Sequence, residues 1–204
     1  MRAIRYSLAR HKIRTGDLIL FKGEGLLSRL IMTFTGPRSH IGIVVRSESP
    51  DMVLLLESTT LSKAKDVELG SVVRGVQLVN LSERLRSYDG ELYWRPIAPE
   101  FQNGLVETLM EFRREFAGVP YEEHKLDLVK TLVTQVQGVE DLSSFFCSEL
   151  VAEAYQRLGF LPETDQGGRP SDKYTPIDFS SVAERPIRLI GQYDLGEEVR
   201  LTLD

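Results

Sequence analysis

The sequence contains very few of the residues on which disulfide scaffolds and metal clusters depend. Cys147 is the only cysteine among 204 residues, and the chain has three histidines. A single cysteine cannot form an internal disulfide, and such scarcity is typical of proteins from a reducing compartment. His11 and His124 have no partners at metal-ligand spacing, and we interpret both as surface residues. We therefore expect neither a metal ion nor another cofactor.

Other absences concern nucleic acid and the membrane. Acidic residues outnumber basic ones by 30 to 25, so the composition does not predict a surface for nucleic acid. No apolar run reaches the ~20 residues of a transmembrane helix. The basic N-terminal residues Arg2, Arg5, Arg10, Lys12 and Arg14 are not followed by the apolar segment of a secretory signal. We expect a cytoplasmic location, with at most peripheral contact between the basic start and anionic lipid.

Composition and pattern predict one compact α+β domain over residues 1–204. Hydrophobic residues make up 42% of the chain, and a chain of this length buries ~70–75% of its unfolded surface. Strand patterns occur at 16–21, 38–46, 51–58, 73–79 and 91–97, and helical patterns at 25–36, 81–86, 101–116, 122–136 and 146–158. The predicted sheet is mostly antiparallel. Neither an internal repeat nor a glycine-rich phosphate loop is found.

Cys147 lies in the sequence FFCSELV, where an aromatic pair gives way to a helical pattern of apolar residues. If the helix begins near Phe146, the thiol lies at its N-terminus, where free backbone N–H groups and the helix dipole favour thiolate over thiol. Cys147 and Leu150 then share the buried face, so the thiol should point toward the sheet. A lone cysteine is equally often an inert buried hydrophobic residue, and position alone does not separate the two interpretations.

The hairpin over 38–58 supplies a candidate base for that thiol. Its two aliphatic runs are joined by residues 47–50, which contain serine and proline. A four-residue loop pairs Arg46 with Asp51 and places His40 opposite Glu57, with Cβ atoms ~4.5–5.5 Å apart. At that distance a carboxylate orients an imidazole. A one-residue bulge would turn one side chain to the other face, which would leave the pair apart or make Ser58 or Thr59 the partner.

Three motifs carry a resemblance to a known family. They are GDLILF at 16–21, SHIGIV at 39–44 and FCSELV at 146–151, with histidine preceding cysteine. In this order they resemble the circularly permuted papain-like hydrolases related to NlpC, and in particular the YiiX/YebB-like branch. The resemblance covers roughly residues 14–180. It implies a mostly antiparallel sheet or partial barrel packed against helices, with the nucleophile at a helix N-terminus.

The resemblance also implies roles for individual residues. Cys147 would be the nucleophile, His40 the general base and acid, and Glu57 the polar third member. Tyr121, in GVPY at 118–121, matches a tyrosine that lies near the cysteine in this group. A core tyrosine with a satisfied hydroxyl is an equal alternative for that position.

The implied activity is hydrolysis of an amide or ester bond through a thioester acyl-enzyme. A peptidase or amidase of the NlpC type, acting on a peptide or cell-wall fragment, is favoured over a lipid or fatty-acyl hydrolase or acyltransferase acting on acyl conjugates. A catalytically inactive binding module is the third alternative, but this chain retains both Cys147 and His40. The apolar helix at 25–36 is interpreted as core, with an acyl groove or membrane contact as alternatives, and the turn-rich segment 167–178 as a lid or a surface connector.

Overall fold

The structure of the protein is a computed structural model that describes most of the chain. The described residues are 2–23, 37–48, 50–59, 62–99, 104–116 and 143–203, without the side chains of 143–146. The predicted helices at 25–36 and 122–136, together with Tyr121 and His124, lie outside these residues.

One mostly antiparallel sheet organises the described residues. Its strands are β1 (Ala3–Arg5), β2 (Leu18–Gly23), β3 (His40–Glu48), β4 (Asp51–Thr59), β5 (Gly75–Asn80), β6 (Gly90–Arg95) and β9 (Val199–Thr202), and two short strands, β7 (Ile97–Ala98) and β8 (Asp194–Leu195), pair separately. The order across the sheet is β1-β9-β6-β2-β3-β4-β5, and only the outer pair β1–β9 is parallel. The predicted antiparallel character is confirmed, whereas β1, β8 and β9 were not predicted. Two of these, β1 and β9, extend the sheet beyond residues 14–180.

The described helices are α1 (Tyr6–Ala9), α2 (Leu81–Ser87), α3 (Leu105–Phe116) and α4 (Ser143–Arg157). The predicted link at 81–86 is α2. The helix predicted from 101 begins instead after Gly104, whose φ of +89° lies in the left-handed region that favours glycine. Helix α4 ends before Gly159, as predicted, with φ of +70° at that glycine. Its start at Ser143 lies three residues before the predicted Phe146, because aromatic residues have only a weak preference against helix.

Both faces of the sheet are covered. On one face Leu20, Ile41 and Ile43 pack with residues of α3 and α4, and on the other Phe21 and Val44 pack with residues of α1 and α2. Burial of alternate residues on opposite sides explains why β2, β3 and β4 are continuous apolar runs. The candidate active site combines groups from the two faces of the sheet.

The turn-rich segment 167–178 is tied to α4. It contains short 3₁₀ turns at Ser171–Lys173 and Pro176–Phe179. The Ser148 hydroxyl of α4 donates to the carbonyl of Tyr174 at 2.7 Å, and the Tyr174 side chain is buried. The segment therefore supports the helix that carries Cys147 and is not a plain surface connector.

Candidate active site

His40 and Glu57 meet through a strand register that differs from the predicted one. Glu48 pairs with Asp51, so β3 and β4 are shifted by two residues and Glu57 is not directly opposite His40. The predicted register was wrong because the last pair before the turn is Glu48–Asp51, whereas a turn centred in the linker would pair Ser47 with Pro50. An even shift keeps every side chain on its face. His40 Nε2 therefore still lies 2.7 Å from Glu57 Oε2.

Gly42 lies beside this diagonal contact and packs closely against β4. Continued by one residue, the register places Gly42 opposite Glu57 and on the same face as His40. A Cβ atom at Gly42 would lie 2.9 Å from Cδ1 of Leu55 and 3.0 Å from the Leu56 carbonyl oxygen. Diagonal cross-strand neighbours are ~7–8 Å apart, within reach of long side chains when nothing stands between them. The glycine of the SHIGIV motif thus has a packing reason.

Both carboxylate oxygens of Glu57 are hydrogen-bonded. While Oε2 binds His40, Oε1 accepts from Gln77 Nε2 at 2.7 Å and from Arg84 Nε at 2.8 Å. Burial alone would raise the pKa of Glu57, but the charge of Arg84 and the hydrogen bonds from His40 and Gln77 lower it to about 2. Glu57 is therefore a fixed anion inside the protein.

Aromatic rings enclose the imidazole. Phe21, the direct strand partner of His40, contacts it edge-on with ring centroids 4.8 Å apart, and Tyr88 contacts Phe21 in the same way at 4.9 Å. Burial alone would lower the pKa of His40, but charge interaction and hydrogen bonding with Cys147 and Glu57 raise it to about 9. The two partners thus outweigh burial and favour the charged form of the ring.

Cys147 approaches His40 from the other side of the sheet. Its side chain is fully buried in the cluster that includes Ile41 and Ile43, and α4 packs on β3 and β4, as the helical pattern predicted. Because His40 is the first residue of β3, the thiol and the ring interact at the strand end. Nε2 is taken by Glu57, and Nδ1 is buried without a hydrogen bond at standard distance, so Nδ1 is the nitrogen left for the sulfur.

The thiol is not at the helix N-terminus in the sense predicted. Since α4 begins at Ser143, Cys147 starts the second helical turn. The free backbone N–H groups of a helix are the first four, and they lie upstream of Cys147 here. The group that interacts with the thiol is therefore His40 and not the free N–H groups of the first turn.

The other predicted residues have different outcomes. Tyr121 lies outside the described residues, so its role stays a prediction. Ser58 alternates with Glu57 along β4 and points to the opposite face. Thr59 shares the face of Glu57 and is buried, but Glu57 makes the hydrogen bond to the ring.

Arg84 and Gln77 were missed by the sequence interpretation. Arg84 lies on the buried face of α2 with Leu81 and Leu85, and its side chain is 5% exposed. A cation within an apolar stripe indicates a buried partner, and this signal was present in the sequence. Gln77 pairs directly with Glu57 across β4 and β5, a contact that requires knowledge of the strand order.

In the part of the chain that the structure describes, no group of histidine, cysteine and acidic side chains could hold a metal ion. No helix among these residues is long and apolar enough to cross a membrane.

The chain is similar to metalloprotein YiiX from Escherichia coli O157:H7, at 19% sequence identity and a TM-score of 0.45. The match covers 70% of this chain and 64% of that one, so this chain spans less than two thirds of its length. No protein-family model and no curated protein matches the sequence. The functional interpretation therefore rests on the geometry of the site.

Proposed function

We propose that this protein is a cysteine hydrolase that cleaves an amide or ester bond through a thioester acyl-enzyme. One observation carries the proposal: His40 is buried between Glu57, to which it is hydrogen-bonded at 2.7 Å, and the thiol of Cys147, which raises its pKa. A nucleophile, a base and a group that orients the base are the parts that covalent acyl transfer requires. A binding module would need none of them in contact.

The hydrogen bond to Glu57 assigns the two ring nitrogens. Nε2–H donates to the carboxylate, which leaves Nδ1 to take the thiol proton. The thiolate attacks the substrate carbonyl, and Nδ1–H then gives its proton to the leaving amine or alkoxide as the thioester forms. Neutral His40 next takes a proton from water, whose oxygen attacks the thioester, and the returned proton regenerates the thiol.

The charges of the site support this sequence. A His40 pKa of about 9 keeps the ring positive at neutral pH, and an imidazolium beside a thiol favours the thiolate. The site is buried, so these interactions are stronger than they would be in water. Glu57 stabilises the positive ring and holds its orientation throughout.

Substrate access requires movement. Cys147 has no exposed surface and His40 is 7% exposed, so the sulfur meets a carbonyl only when neighbouring chain is displaced. Such opening before chemistry is common among hydrolases that exclude water from the acyl-enzyme.

We infer that the substrate is a peptide amide, as in hydrolases of the NlpC type, and that the chain has the permuted papain-like architecture. The order of His40, Glu57 and Cys147 along the chain supports the permuted architecture, and the peptide substrate follows from the resemblance to hydrolases of the NlpC type. Tyr121 and the backbone of the first turn of α4 are the proposed donors to the oxyanion.

Intact-mass measurement tests the activity. The folded protein is incubated briefly with mixed peptides and, separately, with acyl thioesters, and the adduct mass identifies the acyl group. We expect an adduct on Cys147 with peptides, none in Cys147→Ala, and at least a hundred-fold slower formation in His40→Ala. An adduct only with acyl thioesters would change the substrate class. Absence of any adduct, together with alkylation of Cys147 only after unfolding, would contradict the proposed activity.

A further inference from the structure

We propose that Arg84 is a positioning residue that neutralises Glu57 and fixes its carboxylate, so that His40 can lose and regain a proton inside the protein. The inference rests on the proposed function. It assigns a role to a residue of α2 that touches neither the thiol nor the imidazole.

Arg84 is held in one orientation. Its Nε donates to Glu57 Oε1 at 2.8 Å, and its guanidinium lies 4.8 Å from the ring centre of Phe21 and 5.1 Å from that of Tyr88. Phe21 also contacts the imidazole, so one aromatic ring separates the guanidinium from His40. With Gln77 on the same oxygen, Oε1 is occupied and only Oε2 faces His40.

Four groups of alternating charge therefore lie in series. In the ion-paired state that the proposed function requires, they are the Cys147 thiolate from α4, the His40 imidazolium from β3, the Glu57 carboxylate from β4 and the Arg84 guanidinium from α2. Among the described residues, the groups that contact the imidazole, the carboxylate and the guanidinium from other elements are uncharged, namely Phe21 of β2, Gln77 of β5 and Tyr88 after α2. Their net charge is zero in the ion-paired state.

The net charge stays zero through the reaction because of Arg84. In the acyl-enzyme the sulfur is uncharged and the ring is neutral, which leaves Glu57 and Arg84 as a compensated pair. Without Arg84 the same state would contain one unpaired buried anion. An unpaired buried charge is costly, so His40 would hold its proton more tightly and the thiolate would be harder to form.

The pH dependence of Cys147 alkylation by iodoacetamide reads out this effect without a substrate. Opening of the buried site multiplies the alkylation rate by the same factor at every pH. The onset, which is the pH at which the alkylation rate begins to rise, therefore reports ionisation of the thiol and not its accessibility. In Arg84→Met we expect the onset to move upward by about 1 pH unit, since a neighbouring opposite charge shifts a pKa by ~1–3 units. Arg84→Lys retains the charge and should move the onset by less than half as much.

A second buried arginine serves as the matched control. Arg113 of α3 is 3% exposed and binds the buried Asp66, and α3 packs on the opposite face of the sheet from Phe21, the ring that contacts His40. Arg113→Met should weaken the fold and leave the alkylation onset unchanged. A rearrangement of the fold through loss of any buried cation would instead move the onset in both variants, and that result would overturn the inference.

A pair of variants covers the case in which Arg84→Met does not fold. Glu57→Gln leaves Arg84 without its anion, whereas Glu57→Gln with Arg84→Met leaves no buried charge unpaired, a replacement that proteins often tolerate. We expect the onset to be at higher pH in the double variant than in Glu57→Gln. Equal onsets in these two, or an unmoved onset in folded Arg84→Met, would show that Arg84 is only structural. A wild-type onset that His40→Ala does not alter would contradict the proposed function itself.

Discussion

Besides Arg38–Glu198, the described residues contain two buried arginine–carboxylate pairs, and only one of these two is linked to the thiol through a histidine. In the first, Arg84 binds Glu57, and in the second, Arg113 binds Asp66 through both carboxylate oxygens at 2.8 and 2.9 Å. All four residues are at most 5% exposed. The chemistry of the two pairs is the same, so their different roles must come from the remaining hydrogen-bond partners.

The remaining partners of Asp66 are backbone amides. Its carboxylate accepts from the N–H groups of Glu68 and Leu69 at 2.9 and 3.0 Å and of Leu78 at 2.8 Å. These donors cannot change charge, so the pair does no more than join the 66–69 turn to β5 and α3. Glu57 instead binds the His40 ring, which titrates. A functional ion pair is therefore distinguished from a structural one by a neighbour whose protonation can change.

Removal of the reacting groups should have the largest effect on turnover. Cys147→Ala should abolish turnover, and His40→Ala should lower it by on the order of 10³-fold or more, because the base and the nucleophile act as one unit. Purified folded variants are assayed on the peptide identified by the mass measurement.

The second ion pair provides the control for this loss. Arg113→Met leaves Asp66 charged and unpaired and should destabilise the fold by about 3–5 kcal/mol. Turnover per folded molecule should stay at the wild-type value. A drop comparable to that of His40→Ala would mean that the two pairs are not functionally distinct.

Replacing the carboxylate of Glu57 should have an intermediate effect. Glu57→Gln retains the size of the side chain but removes the charge that stabilises the positive ring, so turnover should fall on the order of 10²-fold, less than in His40→Ala. Thr59→Val is the matched substitution on the same strand face, and it should change turnover little. If Thr59→Val is the damaging one, the third member is Thr59.

Acid should weaken the first pair in a defined window. Burial opposes the shift, but Arg84 and His40 lower the Glu57 pKa from 4.5 to about 2. A carboxylate with a lowered pKa stabilises the fold above pH 4.5 and loses that contribution as the pH falls toward 2. The free energy of unfolding should therefore fall by about 3 kcal/mol more in the wild type than in Glu57→Gln over this range. Denaturant titrations at several pH values measure the difference, and equal slopes would argue against a charged Glu57.

The smallest expected effect concerns the support of α4. Ser148→Ala removes the hydrogen bond to the Tyr174 carbonyl and should cost about 1–3 kcal/mol, since it leaves a buried acceptor unsatisfied. The alkylation onset of Cys147 should not move, because no charge changes. A shifted onset would indicate that the position of α4, and not the charge series, sets the state of the thiol.

Much of the site could be predicted from the sequence because its parts are local. A hairpin brings residues 17 apart into contact, and an error of two residues in register left the His40–Glu57 hydrogen bond in place since it preserves the face. The turn position itself was not predictable, because two adjacent pairs of linker residues each allow a two-residue turn.

Features that depend on contacts between distant parts of the chain were harder to predict from the sequence. The pairing of β1 with β9 joins residues about 200 positions apart through three- and four-residue strands, which are too short for a reliable pattern. Gln77 reaches Glu57 only because β5 lies next to β4. Arg84 was visible as a cation in the apolar stripe of α2, but its partner depends on how that helix packs.

Direct titration of His40 tests the central claim, that the thiol, the imidazole and the carboxylate form one charge-coupled unit. The chain has three histidines, so the imidazole NMR signals can be assigned by single substitutions. The pKa of His40 is lowered by burial but raised further by Cys147 and Glu57, so His40 should titrate near pH 9, and its pKa should fall in Cys147→Ala. A His40 that titrates near its ordinary value of 6.5, or that is unaffected by Cys147→Ala, would contradict the account.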